Sequence, residues 1–186
     1  MSNMIMLDLE TLATDSNAVI CQIGCCSFKL DGTICETFLR NVDVNKVQQY
    51  GFNFGGNAIQ WWLQQSKEAQ ASLFTPAPIK IADALNDLNE FMKQNVKEIW
   101  SHSNFDFVII QNAYRKMKIP AKFHFKNSCD IRTLDKIVKM CGYGKGEFVR
   151  GGVHHNALDD CKFQVAYVSE MLRYLKGLKD NKQNDP

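Results

Sequence analysis

The order of strand-like and helix-like segments constrains the fold of this chain most strongly. Residues 4–10 alternate between two faces, and residues 19–28 form a second run with strand character. The Asp31-Gly32 pair then predicts a hairpin turn into a third strand at residues 33–40. A meander of three strands is therefore expected to open the domain.

Segments with helical spacing alternate with two further short strands in the rest of the chain. The predicted helices cover residues 57–65, 81–92, 104–117, 131–138 and 158–175, and the predicted strands cover residues 98–102 and 123–129. Five glycines between positions 141 and 152 predict a loop before the last helix. The sequence thus predicts one α/β domain, with a mixed central sheet and helices on its faces.

Composition excludes several classes of protein. Hydrophobic residues make up 45% and charged residues 23% of the 186-residue chain, which is ordinary for a folded domain but not for a disordered one. No apolar run reaches the ~18 residues of a membrane span, and residues 1–7 lack the basic start of a signal peptide. We therefore predict a cytoplasmic protein without membrane contact.

The seven cysteines and the net charge of +2 say less about function. An odd number of cysteines without a paired C-x2-C motif indicates reduced, structural thiols rather than a disulfide framework or a zinc site. A net charge so close to zero leaves open whether the cations gather around one nucleic-acid groove.

Two acidic residues stand out in the first predicted strand. Asp8 and Glu10 share one face of an otherwise apolar segment. Buried carboxylates without a partner are costly and repel one another, and a divalent metal ion resolves both problems. An edge strand with a solvated face is the alternative interpretation, and the spacing alone does not choose between the two.

Asp106 is a second candidate, at the start of a predicted helix and between two phenylalanines. Taken alone it would be interpreted as a helix cap, because the N-terminus of a helix favours negative charge. The residue gains interest only in combination with the other acids.

The third candidate group is the segment from His155 to Asp160, where the glycine-rich loop enters the last helix. At 100° per residue, Asp160 lies ~110° from the centre of the apolar stripe and Asp159 lies ~150° from it. This geometry predicts that Asp160 faces a cleft at the sheet edge and that Asp159 faces water. His155, on the approach to the helix, could point into the same cleft.

These motifs, in this order, resemble the DEDD exonuclease superfamily, and more narrowly its histidine branch (DEDDh, DnaQ-like). The matching segments are Asp8-Leu9-Glu10-Thr11, Asn104-Phe105-Asp106 and His155-Asn156-Ala157-Leu158-Asp159-Asp160, with Cys129-Asp130-Ile131-Arg132-Thr133-Leu134 between the second and the third. A tryptophan pair within residues 59–65 is similar to a segment of ribonuclease AS-like exoribonucleases and of phage exonuclease A. The resemblance covers nearly the whole chain.

The resemblance implies a single ribonuclease H-like domain over residues 1–176, followed by a polar tail at residues 177–186. It also implies a metal-dependent 3′-5′ exonuclease that acts on the 3′ end of single-stranded DNA or RNA and releases nucleoside 5′-monophosphates. Its cofactors would be two divalent cations, Mg²⁺ or Mn²⁺, which suit carboxylate ligands better than zinc does. The oligomeric state stays open, with a homodimer as one option.

The same resemblance assigns a role to each candidate residue. Asp8 would bridge both cations, with Glu10 and Asp160 on the first. Asp106 would support the second cation, and His155 would deprotonate the attacking water. Activity should then rise with pH as the imidazole loses its proton.

Four residues are candidates for contacts with the substrate backbone or sugar. By resemblance, Thr11 and Leu12 would lie against the terminal nucleotide. Lys145 and Arg150, in the glycine-rich loop, could bind phosphates or could be ordinary solvated charges.

The tryptophan pair offers a candidate for stacking on a base. Trp62 is predicted to share a helix face with Ile59 and Leu63, so we expect it in the core. Trp61 is the better candidate for stacking, although core packing is the favoured interpretation for both tryptophans.

Two other functions stay open at this point. A catalytically weak relative could bind nucleic-acid ends without hydrolysing them, although all four acids and the histidine are present. An unrelated α/β protein could carry the same acids as helix caps and surface charges. The sequence does not distinguish DNA from RNA, since that choice depends on contacts with a single 2′-OH.

Overall fold

The central element is a mixed β-sheet, seen in a computed structural model that describes residues 4–92, 96–144 and 146–182, with side chains described to residue 178. Its strands are β1 (Met4–Thr11), β2 (Ile20–Phe28), β3 (Ile34–Asn41), β4 (Glu98–Ser101) and β5 (Ser128–Asp130). They lie in the order β3-β2-β1-β4-β5. Strand β1 is antiparallel to β2 and parallel to β4, so the mixed sheet that the sequence predicts is confirmed.

Six α-helices in the described residues surround this sheet. They are α1 (Gly56–Leu63), α2 (Lys67–Ser72), α3 (Ile81–Phe91), α4 (Asp106–Met117), α5 (Ile131–Met140) and α6 (Ala157–Lys182). Helices α3 and α4 pack on one face of the sheet, and α5 and α6 pack on the other. Helices on both faces are therefore confirmed. No helix in the described residues is long and apolar enough to cross a bilayer.

The alternation along β1 divides the core into these two layers. Ile5 and Leu7 point into the layer with α3 and α4, whereas Met6 points into the layer with α5 and α6. Because side chains alternate along a strand, Asp8 and Glu10 lie on the Met6 face, beneath α6. The strand pattern thus places both acids between the sheet and the last helix.

A glycine in β2 allows α6 to begin close to the sheet. A Cβ atom on Gly24 would collide with the backbone carbonyl group of Ala157, the first residue of α6. Gly24 is also the β2 partner of Asp8. The N–H of Ala157 donates a hydrogen bond of 2.6 Å to Oε1 of Gln22. These contacts fix the first turn of α6 over the acidic end of β1.

The prediction of a strand at residues 123–129 is wrong for most of these residues. Phe125–Asn127 form a 3-10 turn, and only Ser128–Asp130 pair with β4. Nδ1 of His124 accepts a hydrogen bond from the N–H of Lys126, and Oδ1 of Asn127 accepts one from the N–H of His124. Such local bonds between side chains and backbone compete with a strand ladder.

Two helices also differ from the sequence prediction. Helix α2 was not predicted, because it is only six residues long; the Ser66 side chain caps it by accepting from the N–H of Ala69. Helix α6 continues to Lys182, beyond the predicted end at residue 175, and residues 183–186 lie outside the described part of the chain. The division into a domain and a polar tail stays a prediction.

Candidate active site

Three buried carboxylates meet where β1 ends beneath α6. Carboxylate oxygens of Asp8, Glu10 and Asp160 lie within 4.8 Å of one another. Each of the three residues is only 8% exposed. Strand β1 supplies two of them at alternate positions, and the first turn of α6 supplies the third. Two motifs from opposite ends of the chain thus form one acidic cluster.

Asp106, the first residue of α4, lies beside this acidic cluster and is almost fully buried. Its Oδ1 accepts a hydrogen bond of 3.1 Å from the N–H of Leu9, and its Oδ2 accepts one of 3.1 Å from the N–H of His102. These bonds join α4 to β1, whereas a capping side chain would accept from its own helix. The interpretation of Asp106 as a simple cap is therefore wrong.

Burial and mutual repulsion raise the pKa values of these acids, so the carboxyl groups stay protonated to a higher pH than usual. Burial, with the charges of Asp160 and Asp106, raises the pKa of Glu10 to about 8. Burial also raises the pKa of Asp106 to about 7, although backbone N–H groups oppose the rise. The pKa of Asp8 is raised well above its ordinary value by burial and by the neighbouring acids. The site therefore favours a positive counter-charge.

The chemistry of this donor set fits a hard divalent cation. All the donors are carboxylate oxygens, which Mg²⁺ and Mn²⁺ prefer, and a cation relieves the repulsion between them. In the described part of the chain, Arg150 forms an ion pair with Asp160, one of the acids of this cluster. Asp8, Glu10 and Asp160 could thus hold such a cation, with Asp106 beside them.

His155 adopts an unusual backbone conformation next to the acidic cluster. Its φ of 64° lies in the left-handed region, where residues other than glycine are uncommon. Its imidazole stacks on that of His154 at 3.7 Å and meets the edge of Trp61 at 4.6 Å between ring centroids. Partial burial and the neighbouring His154 lower the pKa of His155. A lowered pKa favours the neutral form of the imidazole, which is the form that can accept a proton.

Two glutamines hold the acidic site together, and neither was identified from the sequence as a functional residue. Nε2 of Gln164, on α6, donates a hydrogen bond of 2.7 Å to Oδ1 of Asp8. Gln22, fully buried in β2, accepts from Ala157 at the start of α6. A glutamine inside an apolar strand is the sequence signal that could have identified Gln22.

Of the residues predicted to contact the terminal nucleotide, Thr11 and Trp61 lie on the His155 side of the site, whereas Leu12 packs against the core layer of α3 and α4. The Thr11 hydroxyl donates to the carbonyl of Ala13 at 2.7 Å, and the Thr11 carbonyl accepts from Nε1 of Trp62 at 2.9 Å. Leu12 is half-buried. Trp62 is buried, as predicted, whereas Trp61 is 41% exposed and lies against His155.

Three sequence predictions about nearby side chains need correction or qualification. Leu63 is 74% exposed and does not share the buried face of Trp62, because α1 ends at that residue. Asp159 does not simply face water: it accepts from the N–H of Val153 and pairs with Lys162. Lys145 lies outside the described residues, and Arg150 forms an ion pair with Asp160.

A match to a family of known proteins adds an independent line of evidence. A family model, described as the 3′-5′ exoribonuclease Rv2179c-like domain, matches residues 3–172 of this chain. The chain belongs to this family. The prediction of a 3′-5′ exonuclease domain is thereby confirmed.

The chain is also similar to individual proteins of known sequence or structure. The exodeoxyribonuclease of Enterobacteria phage T4 is 24% identical over 94% of this chain and 91% of its own length. Among solved structures, S. pombe Pop2p, in a form with Mg²⁺ and Mn²⁺ bound, has a TM-score of 0.64 at 17% identity and covers 91% of this chain and 82% of its own.

E. coli exonuclease I, solved in complex with a dT13 oligonucleotide, has a TM-score of 0.67 at 14% identity. The match covers 97% of this chain but only 43% of exonuclease I, so this chain spans less than half of that protein. The similarity to these solved structures confirms the ribonuclease H-like exonuclease fold.

Proposed function

We propose that this protein removes nucleotides one at a time from the 3′ end of a single-stranded nucleic acid, using divalent cations and His155 as the general base. The observation that carries this proposal is the acidic cluster itself. Three buried carboxylates with unfavourable mutual repulsion lie beside a histidine whose pKa is lowered. Such a combination is costly for folding and is typical of a site built for chemistry.

Four carboxylates would hold two divalent cations, Mg²⁺ or Mn²⁺. Asp8, Glu10 and Asp160 would be the residues that hold them, together with the neighbouring Asp106. When bound, the cations would neutralise charge at the phosphate and favour ionisation of the attacking water. Pop2p, a structural relative, has been solved with Mg²⁺ and Mn²⁺ bound, which supports this choice of metals.

Hydrolysis requires a group that accepts a proton from the attacking water, and it breaks the bond between phosphorus and the 3′ oxygen. His155 takes a proton from water, and the water oxygen attacks phosphorus while the bond to the 3′ oxygen breaks. The released 3′ oxygen gains a proton from solvent, and the product is a nucleoside 5′-monophosphate. Because burial lowers the pKa of His155, the activity should rise with pH and reach half its maximum below pH 6.5 at saturating metal.

Thr11, Leu12 and Trp61 would contact the terminal nucleotide. Arg150, which now pairs with Asp160, would be free to bind phosphate once a cation replaces it there. Lys145 remains a proposed phosphate contact. The family is described as exoribonucleases and the phage relative as an exodeoxyribonuclease, so both sugars are candidate substrates.

Product analysis tests this proposal. Wild-type protein, incubated with Mn²⁺ and single-stranded DNA or RNA, should release nucleoside 5′-monophosphates that can be identified by anion-exchange chromatography. Asp8→Asn should abolish the release, whereas Asp83→Asn, on the exposed face of α3, should not change it. Nucleoside 3′-monophosphates, or equal rates for the wild type and Asp8→Asn, would contradict the proposal.

A further inference from the structure

A groove with a volume of about 620 Å³ runs between α5 and α6. We call it the α5–α6 groove. The apolar residues Ile131, Phe163, Tyr167 and Met171 line it, together with Phe148 of the glycine-rich loop. The rings of Phe148 and Phe163 both contact Tyr167, at 6.1 and 5.6 Å between ring centroids. Three aromatic faces thus line one opening.

The α5–α6 groove lies next to the acidic cluster. Phe163 and Tyr167 lie about one and two turns beyond Asp160 on α6. His102, at the end of the groove that faces the cluster, donates its backbone N–H to Asp106. The groove therefore adjoins the site where the reaction is proposed.

The sheet order separates the groove from His155. Helix α6 begins over β2, where Ala157 packs against Gly24, so His155 lies on the β2 side of β1. Asp106 follows β4, and α5 follows β5, on the opposite side of β1. Across the sheet the order is thus His155, then the acidic cluster, then Asp106 and the α5–α6 groove.

Arg132 is the cation at the mouth of the α5–α6 groove. It is exposed, and in the described residues its guanidinium has neither a hydrogen bond nor an ion pair. Lys139, the other basic residue that lines the groove, is already paired with Asp135 at 2.6 Å, and Glu147 is an acid in the glycine-rich loop. Arg132 is thus available for an anion that passes from the acidic cluster into the groove.

The chemistry of the proposed reaction gives the direction in which the substrate runs. In an in-line displacement, the attacking water and the leaving oxygen lie on opposite sides of phosphorus. With His155 as the proposed base, the attacking water would lie beside His155, and the leaving 3′ oxygen would then point toward Asp106. That oxygen belongs to the part of the strand that stays behind, and this part must continue on the side of the α5–α6 groove.

We infer that the α5–α6 groove binds the nucleotide on the 5′ side of the scissile bond, with its base against Phe148 and Tyr167 and its phosphate on Arg132. This inference rests on the proposed function and specifies how that site takes its substrate. Stacking on aromatic side chains tolerates any base, and a planar guanidinium suits a phosphate. The site should therefore recognise a strand of at least two nucleotides without strong base preference.

A pair of substrates isolates this subsite. Thymidine 5′-monophosphate p-nitrophenyl ester has a terminal nucleotide but no nucleotide on the 5′ side, whereas a short single strand has both. In Arg132→Gln and in Phe148→Ala, kcat/KM for the strand should fall about tenfold more than kcat/KM for the ester. Arg115→Gln, an exposed arginine on α4, is the matched control and should change neither value.

The outcomes separate this inference from the proposed function. Equal losses on strand and ester, or no loss on either, would overturn the role of the groove while leaving the exonuclease proposal intact. A wild type that hydrolyses neither substrate would instead contradict the proposed function. In that case, fluorescence anisotropy of a labelled single strand still decides: Arg132→Gln must weaken its binding about tenfold relative to Arg115→Gln, and equal binding overturns the inference.

Discussion

The side-chain amide of Gln164 donates a 2.7 Å hydrogen bond to Oδ1 of Asp8, and this bond joins the last helix to the first strand inside the acidic cluster. Burial and the charges of three other acids raise the pKa of Asp8, whereas the hydrogen bond from Gln164 lowers it. The bond therefore both orients Asp8 and favours its charged form, which is the form that binds a cation.

Gln164→Met should weaken metal binding without unfolding the protein. The substitution keeps most of the side-chain volume but removes the donor, so we expect the affinity for Mn²⁺ to fall about tenfold in isothermal titration calorimetry. Gln48→Met, at an exposed position, is the control. An unchanged affinity in the Gln164 variant would show that Asp8 does not depend on this bond.

Gly24→Ala should destabilise the fold and remove activity together. The new Cβ would collide with the backbone of Ala157, and the first turn of α6 would have to move away from Asp8. We expect a loss of about 3 kcal/mol in the free energy of unfolding, measured in urea. Gly56→Ala has open space around it and should change this free energy by less than about 1 kcal/mol. Similar values for the two variants would contradict the close packing.

The metal-free protein should lose stability as the pH rises. The pKa of Glu10 is raised from 4.5 to about 8 and that of Asp106 from 3.8 to about 7, so the folded state holds these protons more tightly than the unfolded state does. Their stabilising contribution is complete below the unfolded values and is lost as the pH approaches 8. The Tm without metal should therefore fall across this range.

Glu10→Gln provides the matching control for this pH dependence, because the amide does not titrate. Between pH 5 and pH 8, the Tm of this variant should change less than that of the wild type, because residue 10 no longer releases a proton. Added Mn²⁺ should raise the wild-type Tm more at about pH 8 than at about pH 6, since protons compete with the cation. A wild-type Tm that rises with pH in the absence of metal would contradict these shifts.

Trp61→Leu should affect catalysis more than stability. Trp61 is exposed, but its ring restrains and partly covers the imidazole of His155. We expect kcat to fall about tenfold and the apparent pKa of the rising limb to move up toward 6.5, because burial lowers the pKa of His155 in the wild type. Leu63→Ala, exposed on the same helix, is the control. A rise in KM with unchanged kcat and pKa would show that Trp61 only stacks on a base.

Part of the acidic cluster can be predicted from local geometry. The two-residue period of a strand places Asp8 and Glu10 on one face, and the 100° step of a helix favours Asp160 over Asp159 as the inward residue. The structure brings these three carboxylates together. Both periods are properties of the backbone, so they need no knowledge of the tertiary fold.

The contacts of Asp106, Gln164 and Arg150 could not be predicted in this way. Asp106 resembles a helix cap in the sequence, and only the packing of α4 against β1 brings its carboxylate to the N–H of Leu9. The bond from Gln164 to Asp8 and the ion pair of Arg150 with Asp160 depend on the position of α6 over the sheet. That position is set by long-range packing at Gly24, for which the sequence has no local signal beyond a glycine inside a strand.

A matched digestion tests the central claim most directly. Short single-stranded DNA and RNA, each labelled at the 5′ end, are incubated with Mn²⁺ or Mg²⁺ and with wild type, Asp8→Asn or His155→Ala. A ladder that shortens from the 3′ end, requires metal and is lost in both variants is the predicted result, and the faster substrate identifies the preferred sugar. A ladder that persists in His155→Ala at the wild-type rate, or that forms in the presence of a chelator, would contradict the account.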